Sequence, residues 1–149
     1  SGKAARTARD GRFSIRGVPN IPLEVAPDCG HFEDRCFAWP GGRLTPKPTL
    51  LAGPASNVEL ELAPGFAVHV TCERADGIAI RSGVVVLRRR QAGDEETLRA
   101  TLRDGRAVFR CLPAGNYQLR LIGAPRSVRE FQLADSGAGF VRQFLIREN

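Results

Sequence analysis

Through the second half of the chain, apolar and polar residues alternate with a period of two, the period of a strand with one buried face. Ala107, Phe109 and Cys111 alternate with Arg106, Val108 and Arg110, and Tyr117, Leu119 and Leu121 alternate with Asn116, Gln118 and Arg120. Asp104-Gly105 marks a turn before the first run, and Pro113-Ala114-Gly115-Asn116 separates the two. The stretch therefore predicts a β-hairpin with its arginines in water on one face. Upstream, Val68, Val70 and Cys72 alternate with His69 and Thr71, Glu73 to Gly77 turns, and Val84 to Leu87 is an apolar strand running into Arg88-Arg89-Arg90. Residues 92 to 96 turn again, and Leu98, Ala100 and Leu102 alternate with Thr97, Arg99 and Thr101. Val128 to Leu133 and Phe140 to Ile146 read as two further strands around a Ser136-Gly137-Ala138-Gly139 turn. No segment sustains a period of 3.6, so the pattern predicts an all-β protein.

The opening of this sequence is spoken twice. Thr7-Ala8-Arg9-Asp10-Gly11-Arg12 matches Thr101-Leu102-Arg103-Asp104-Gly105-Arg106, and Phe13, Ile15, Arg16, Val18 and Pro19 fall opposite Ala107, Phe109, Arg110, Leu112 and Pro113. Asp10 and Asp104 lie 94 residues apart, which is the length of a small domain rather than of a solenoid repeat. Two modules are expected. Residues 1–62 hold the C-terminal part of a first one, with a strand-turn-strand over Thr7 to Gly17, a short strand over Ile21 to Val25 and a closing strand over Val58 to Leu62. Residues 63–149 form a second, nearly complete module after an Ala63-Pro64-Gly65 linker. Residues 26–57, rich in proline and glycine, read as a long irregular loop, and loops of that length tend to carry function.

The wording Asp104-Gly105, Phe109, Leu112-Pro113, Gly115, Tyr117 and Leu119 resembles the carboxypeptidase regulatory-like domains and their transthyretin-like or CNA-B-like relatives. Phe66 to Val70, Asp76-Gly77 and Gly83 to Leu87 look like that family's opening strand, its turn and its second strand. The resemblance covers the second module almost end to end and implies a Greek-key β-sandwich of prealbumin-like type, in tandem. The first copy departs from it, because Pro19-Asn20-Ile21-Pro22-Leu23 lacks both the Gly and the Tyr. In this family those residues make turns and core, so the likeness speaks to fold more than to activity. Intradiol dioxygenases of related architecture hold iron with two Tyr and two His, whereas this chain has one Tyr and two separated histidines.

Composition changes this picture little. The 149 residues are 42% hydrophobic and 26% charged, enough to build a core, and no run approaches the roughly 18 apolar residues of a membrane span. The formal net charge is +6, almost all of it arginine, since only Lys3 and Lys47 are lysines. Arginines at alternate strand positions describe a solvated sheet face. Arg88-Arg89-Arg90 lacks the interleaved aromatics of a single-strand nucleic-acid groove, and Asp94, Glu95 and Glu96 stand just across a turn as cross-strand partners. Neither nucleic acid nor membrane insertion is expected.

Candidate chemistry concentrates in residues 29 to 40. Cys29 and Cys36 enclose a short loop and are disulfide candidates, as are Cys72 and Cys111, whose alternative is to be small buried core residues. Two cysteines per module fit an extracytoplasmic protein, whether secreted, periplasmic or on the cell surface. Cys29, His31 and Cys36 are too few and too loosely spaced for a zinc site, so neither metal nor cofactor is expected. Phe32, Phe37 and Trp39 are candidate ligand-binding residues, able to stack on sugar faces or to plug the loop onto the sandwich. No nucleophile, base and acid stand in a recognisable motif, so catalysis is not expected. The reading is a structural module of a larger bacterial protein, a spacer or docking domain for neighbouring domains of the same chain or for a surface protein. Carbohydrate binding through the Phe32 to Trp39 loop and service as an accessory domain of a peptidase are the alternatives.

Overall fold

The computed structural model describes residues 3–8, 12–27, 31–32, 35–45, 48–55, 57–60, 62–91, 94–124, 126–134 and 140–148, with backbone only at 31, 32, 35, 40 and 94. Eleven strands follow one another in these residues: β1 (Leu23–Val25), β2 (His31–Phe32), β3 (Arg35–Cys36), β4 (Thr49–Leu51), β5 (Phe66–Arg74), β6 (Val84–Gln91), β7 (Asp94–Thr101), β8 (Arg106–Leu112), β9 (Gly115–Leu121), β10 (Val128–Leu133) and β11 (Val141–Glu148). The protein is all-β. Two compact units emerge, Ser1–Ala26 with Pro48–Leu60, and Pro27–Lys47 with Glu61–Asn149. Residues 27–47 thus pack with the second unit, whereas the sequence boundary at 62/63 had assigned them to the first.

The first unit holds one antiparallel pair, β1 with β4, in which Leu23 faces Leu51 and Val25 faces Thr49. The strands expected over Thr7 to Gly17 and Val58 to Leu62 do not form among the described residues. Residues 12–16 instead run as irregular chain, tied by the Lys3 Nζ donating to the carbonyls of Arg16 and Gly17 and by the Ala8 N–H donating to the Arg12 carbonyl. Alternation alone does not make a strand. Its backbone groups also need a ladder to pair into, and among the described residues these segments join none of the sheets.

The second unit is a sandwich of two sheets, ordered β10-β9-β6-β7 and β11-β5-β8. The four-stranded sheet is antiparallel throughout. In the three-stranded sheet β8 is antiparallel to β5, but β11 is parallel to it, from Val141 beside Ala67 to Glu148 beside Arg74. The inward faces meet as the period-two pattern requires: Val85 and Leu87 of β6 with Leu119 and Leu121 of β9 lie against Val68, Val70 and Cys72 of β5, with Phe109 of β8 and Ile146 of β11. Each such Val, Leu or Ile contributes roughly 1.5–3 kcal/mol by leaving water. Where β10 and β11 leave both sheets open, Phe131 stacks on Tyr117 at 5.7 Å and tilts against Phe144 at 4.4 Å, closing the edge.

The expected hairpin between residues 106 and 121 is not one, because β8 and β9 lie in different sheets. Both runs bury one face, and they do so across the sandwich rather than side by side. Cys111 at φ 57° and the Pro113-Ala114 corner turn the chain from one sheet to the other. The Tyr117 hydroxyl donates to the Pro113 carbonyl at 2.6 Å and pins that corner, as the tyrosine corner does in other sandwiches. The Asp104-Gly105 turn is present, with both residues left-handed and reciprocal bonds between Arg103 and Arg106. A Cβ on Gly105 would come within 2.9 Å of the Ala79 Cβ, so glycine is required there for space as well as for φ.

Tyr117→Phe keeps the ring in the aromatic row and strands a buried carbonyl, so stability falls by about 1–3 kcal/mol with an unchanged urea m-value. A urea midpoint equal to the parent's would show that the corner stands without this bond.

Candidate functional site

The segment singled out by sequence is held as extended chain against the entry to the sandwich. Gly65 N–H donates to the Cys36 carbonyl at 2.8 Å, Ala38 N–H to the Ala63 carbonyl at 2.9 Å, and Trp39 N–H to the Cys111 carbonyl at 3.4 Å. Phe37 bridges Pro64 in the middle of this pairing. Gly65 has no room for any side chain, since a Cβ would lie 2.3 Å from the Ala38 nitrogen. Extended geometry alternates the side chains, so Cys36 and Ala38 are buried while Phe37 and Trp39 share the opposite side, half-buried. The two aromatics thus both cover the loop's seat and keep part of their surface in water. The Phe32 side chain lies outside what the structure describes.

Among the cysteines, the bond considered between Cys72 and Cys111 is not formed. Both are buried, but they sit at opposite ends of the β5–β8 ladder: Cys72 N–H donates to the Gly105 carbonyl, whereas Leu112 faces Phe66. Six residues of strand separate Gly105 from Cys111, roughly 20 Å of rise, against the roughly 4.4–6.8 Å between α-carbons that a disulfide needs. The alternative reading, small buried core residues, describes them. Cys36 carries a buried thiol raised above the ordinary thiol range by burial, an effect partly offset by the Cys111 backbone and the Arg110 charge. Cys29, and with it the proposed Cys29–Cys36 pair, lies outside the described residues. Among the described residues no three His, Cys, Asp or Glu side chains gather in a metal-holding arrangement.

Two further constellations come from tertiary structure. On the outer face of the three-stranded sheet, Val108, His69 and Gln143 stand side by side because both ladders of β5 bring their partners to the same level. With Thr71 and Arg106 they line a shallow groove of about 270 Å³. The His69 Nε2 is enclosed there without a hydrogen-bond partner among the described residues. An imidazole, a hydroxyl, an amide and a guanidinium together suit hydrogen bonding to a small carbonyl or carboxylate group. Sequence reasoning placed His69 on the polar face of its strand but had no signal for Gln143 beside it, 74 residues further on.

The second is Arg89. Following Val85 and Leu87 along β6, it points inward and is 3% exposed, with its Nη2 bonded to Glu96 at 2.8 Å. Its Nε and Nη1 have no partner among the described residues. The cross-strand pairing expected between arginines and acids is present, as Arg88–Glu95 at 3.0 Å and Arg89–Glu96 at 2.8 Å. The expected turn over 92–96 is correspondingly tighter, because Asp94, Glu95 and Glu96 already belong to β7. Arg89 is thus a charge sealed into the end of the core beside Tyr117, more than a solvated surface residue. Burial pushes the Tyr117 hydroxyl up to about 12, the Arg89 charge pulling the other way.

The Cys72 thiol is pushed up by burial to about 11, from an ordinary value near 9. An acid with a raised folded pKa holds its proton longer in the native state, so stability is full below about pH 9 and falls as pH rises towards about 11. Tyr117 extends the loss towards pH 12. Unfolding free energies from urea titrations at pH 8 to 11 should fall by an amount on the order of 2 kcal/mol, and Cys72→Ala should flatten the slope between pH 9 and 11. Equal slopes in parent and variant would exclude this thiol as the cause.

Comparison with protein-family models, with curated protein sequences and with solved structures finds no match to this chain.

Proposed function

We propose that this chain is a non-catalytic, carboxypeptidase regulatory-like sandwich of Greek-key type that acts as a spacer in a larger extracytoplasmic bacterial protein. The observation that carries this reading is the parallel pairing of β5 and β11. Because β11 runs the same way as β5, the chain enters the sandwich at Phe66 and reaches Glu148 at the opposite pole. Seven steps of strand, about 23 Å of rise, separate the ends of that ladder. An antiparallel last strand would return the chain to the pole where it entered. The entry is also held in place, by the 36–38 segment paired to residues 63–65. A spacer requires both properties: ends that lie apart and a fixed angle of entry.

A second reading is favoured by one observation, the placement of Phe37 and Trp39 on the same half-exposed side of an extended segment. Two aromatics two residues apart offer planes for sugar rings, which would make the same pole a carbohydrate-binding surface.

Spin labels at Ala63→Cys and Arg147→Cys, in a Cys29→Ser background that leaves only the buried thiols, report on the spacer directly. The expected result is one narrow distance distribution centred near roughly 30 Å. A broad distribution, or a mean near roughly 10 Å, would remove the spacer reading. For the second reading, a glycan array should give binding that falls at least tenfold in Trp39→Ala, and equal binding by parent and variant would discard sugar stacking.

A further inference from the structure

Resting on the spacer reading, we infer that this sandwich is built to resist tension applied along the chain. The argument is geometric. Force that draws residue 66 outward at one pole and residue 148 outward at the other makes β5 and β11 slide past each other lengthwise. The two strands are direct neighbours over eight register pairs, from Ala67 with Val141 to Arg74 with Glu148. In that shear geometry every ladder hydrogen bond is strained together, so none gives way until many do. Pulling the same strands apart from one end strains one bond at a time. Forced unfolding is governed by the unfolding barrier, so the direction of pull sets the resistance even though the equilibrium stability is the same.

Side chains reinforce the same ladder. The Arg147 Nε lies 3.4 Å from Glu73, its direct register partner, and the Arg142 guanidinium lies over the Phe66 ring at 5.6 Å. The two contacts sit near opposite ends of the ladder, so sliding in either sense disturbs both. Among the described residues strand β11 has only β5 beside it in its sheet, and it is held from the other sheet by Arg129 donating to the Leu145 carbonyl at 3.2 Å and by Phe144 against Phe131. Strand β5 is anchored in turn by β8 along its other edge. The slip plane is therefore the β5–β11 ladder.

The test is single-molecule force spectroscopy on the full chain in the Cys29→Ser background, with one handle at the C-terminus and the other at either of two exposed alanines. Ala63→Cys attaches at the entry pole and shears the ladder; Ala75→Cys attaches just past β5, beside Glu148, and unzips it. At one loading rate the Ala63 attachment should unfold at a force at least twice that of the Ala75 attachment. Leu62→Cys serves as a second entry anchor, and matching thermal midpoints establish that every variant is folded. Equal unfolding forces in the two geometries would overturn the inference. If the label distances remain narrow while the forces are equal, the spacer reading stands and only its resistance to tension is lost; a broad distance distribution removes both.

Discussion

Strand β5 is the constraint from which the rest of the sandwich follows. Its inward residues Phe66, Val68, Val70 and Cys72 are all buried, and both of its edges are paired, one antiparallel to β8 and one parallel to β11. A strand buried in this way satisfies its backbone groups in two ladders, which fixes the levels of both neighbours at once. The four-stranded sheet then has to present its own apolar face at the same levels, which Val85, Leu87, Leu119 and Leu121 do. Shifting the register of either ladder by one position would expose these residues, since such a slip exchanges the two faces.

The corners carry a different kind of constraint. Where the chain passes between sheets its backbone can no longer pair with a neighbouring strand, and side chains take over. Tyr117 caps the Pro113 carbonyl, and Gly105 accepts a conformation and a spacing closed to other residues. Arg89 is the costliest of these features, a charge taken out of water with a partly exposed carboxylate as its partner. Buried pairs of this kind add little stability on balance, but removing one partner leaves a charge uncompensated. Together with Tyr117 and the Gly115 backbone, Arg89 closes one end of the core.

The 36–39 segment, the entry to β5 and the end of β8 meet at one pole, where Cys111 holds a left-handed backbone conformation and the half-exposed Phe37 and Trp39 lie. The parallel strand pair runs from that pole to the other. The proposed sugar-binding aromatics and the proposed line of tension therefore lie on one scaffold and draw on different residues.

The strands of the two packed sheets were legible in the sequence, because alternation is local: Val128 to Leu133 is a strand with the expected bounds, and Phe66 to Cys72 needed only two further residues. The two-residue β2 and β3, by contrast, lie in the stretch read as an irregular loop. The all-β class and the Arg–Glu pairing across β6 and β7 were legible for the same reason. Alternation, however, states that a face is buried without stating what buries it. The runs on either side of Pro113 were therefore indistinguishable from a hairpin, and only packing placed them in opposite sheets. The inward position of Arg89 was encoded in the step of two from Val85 and Leu87, but its charge masked the signal. In the first unit the repeated motif carried the pattern of strands, but its described residues form no strand. The pairing of Ala67 with Val141, on which the proposed function turns, joins residues 74 positions apart, and nothing local distinguishes a parallel partner from an antiparallel one. By itself the sequence determined which residues avoid water; the tertiary structure alone decided which strands meet and in which direction, because that choice depends on burying every apolar face and pairing every backbone group at the same time.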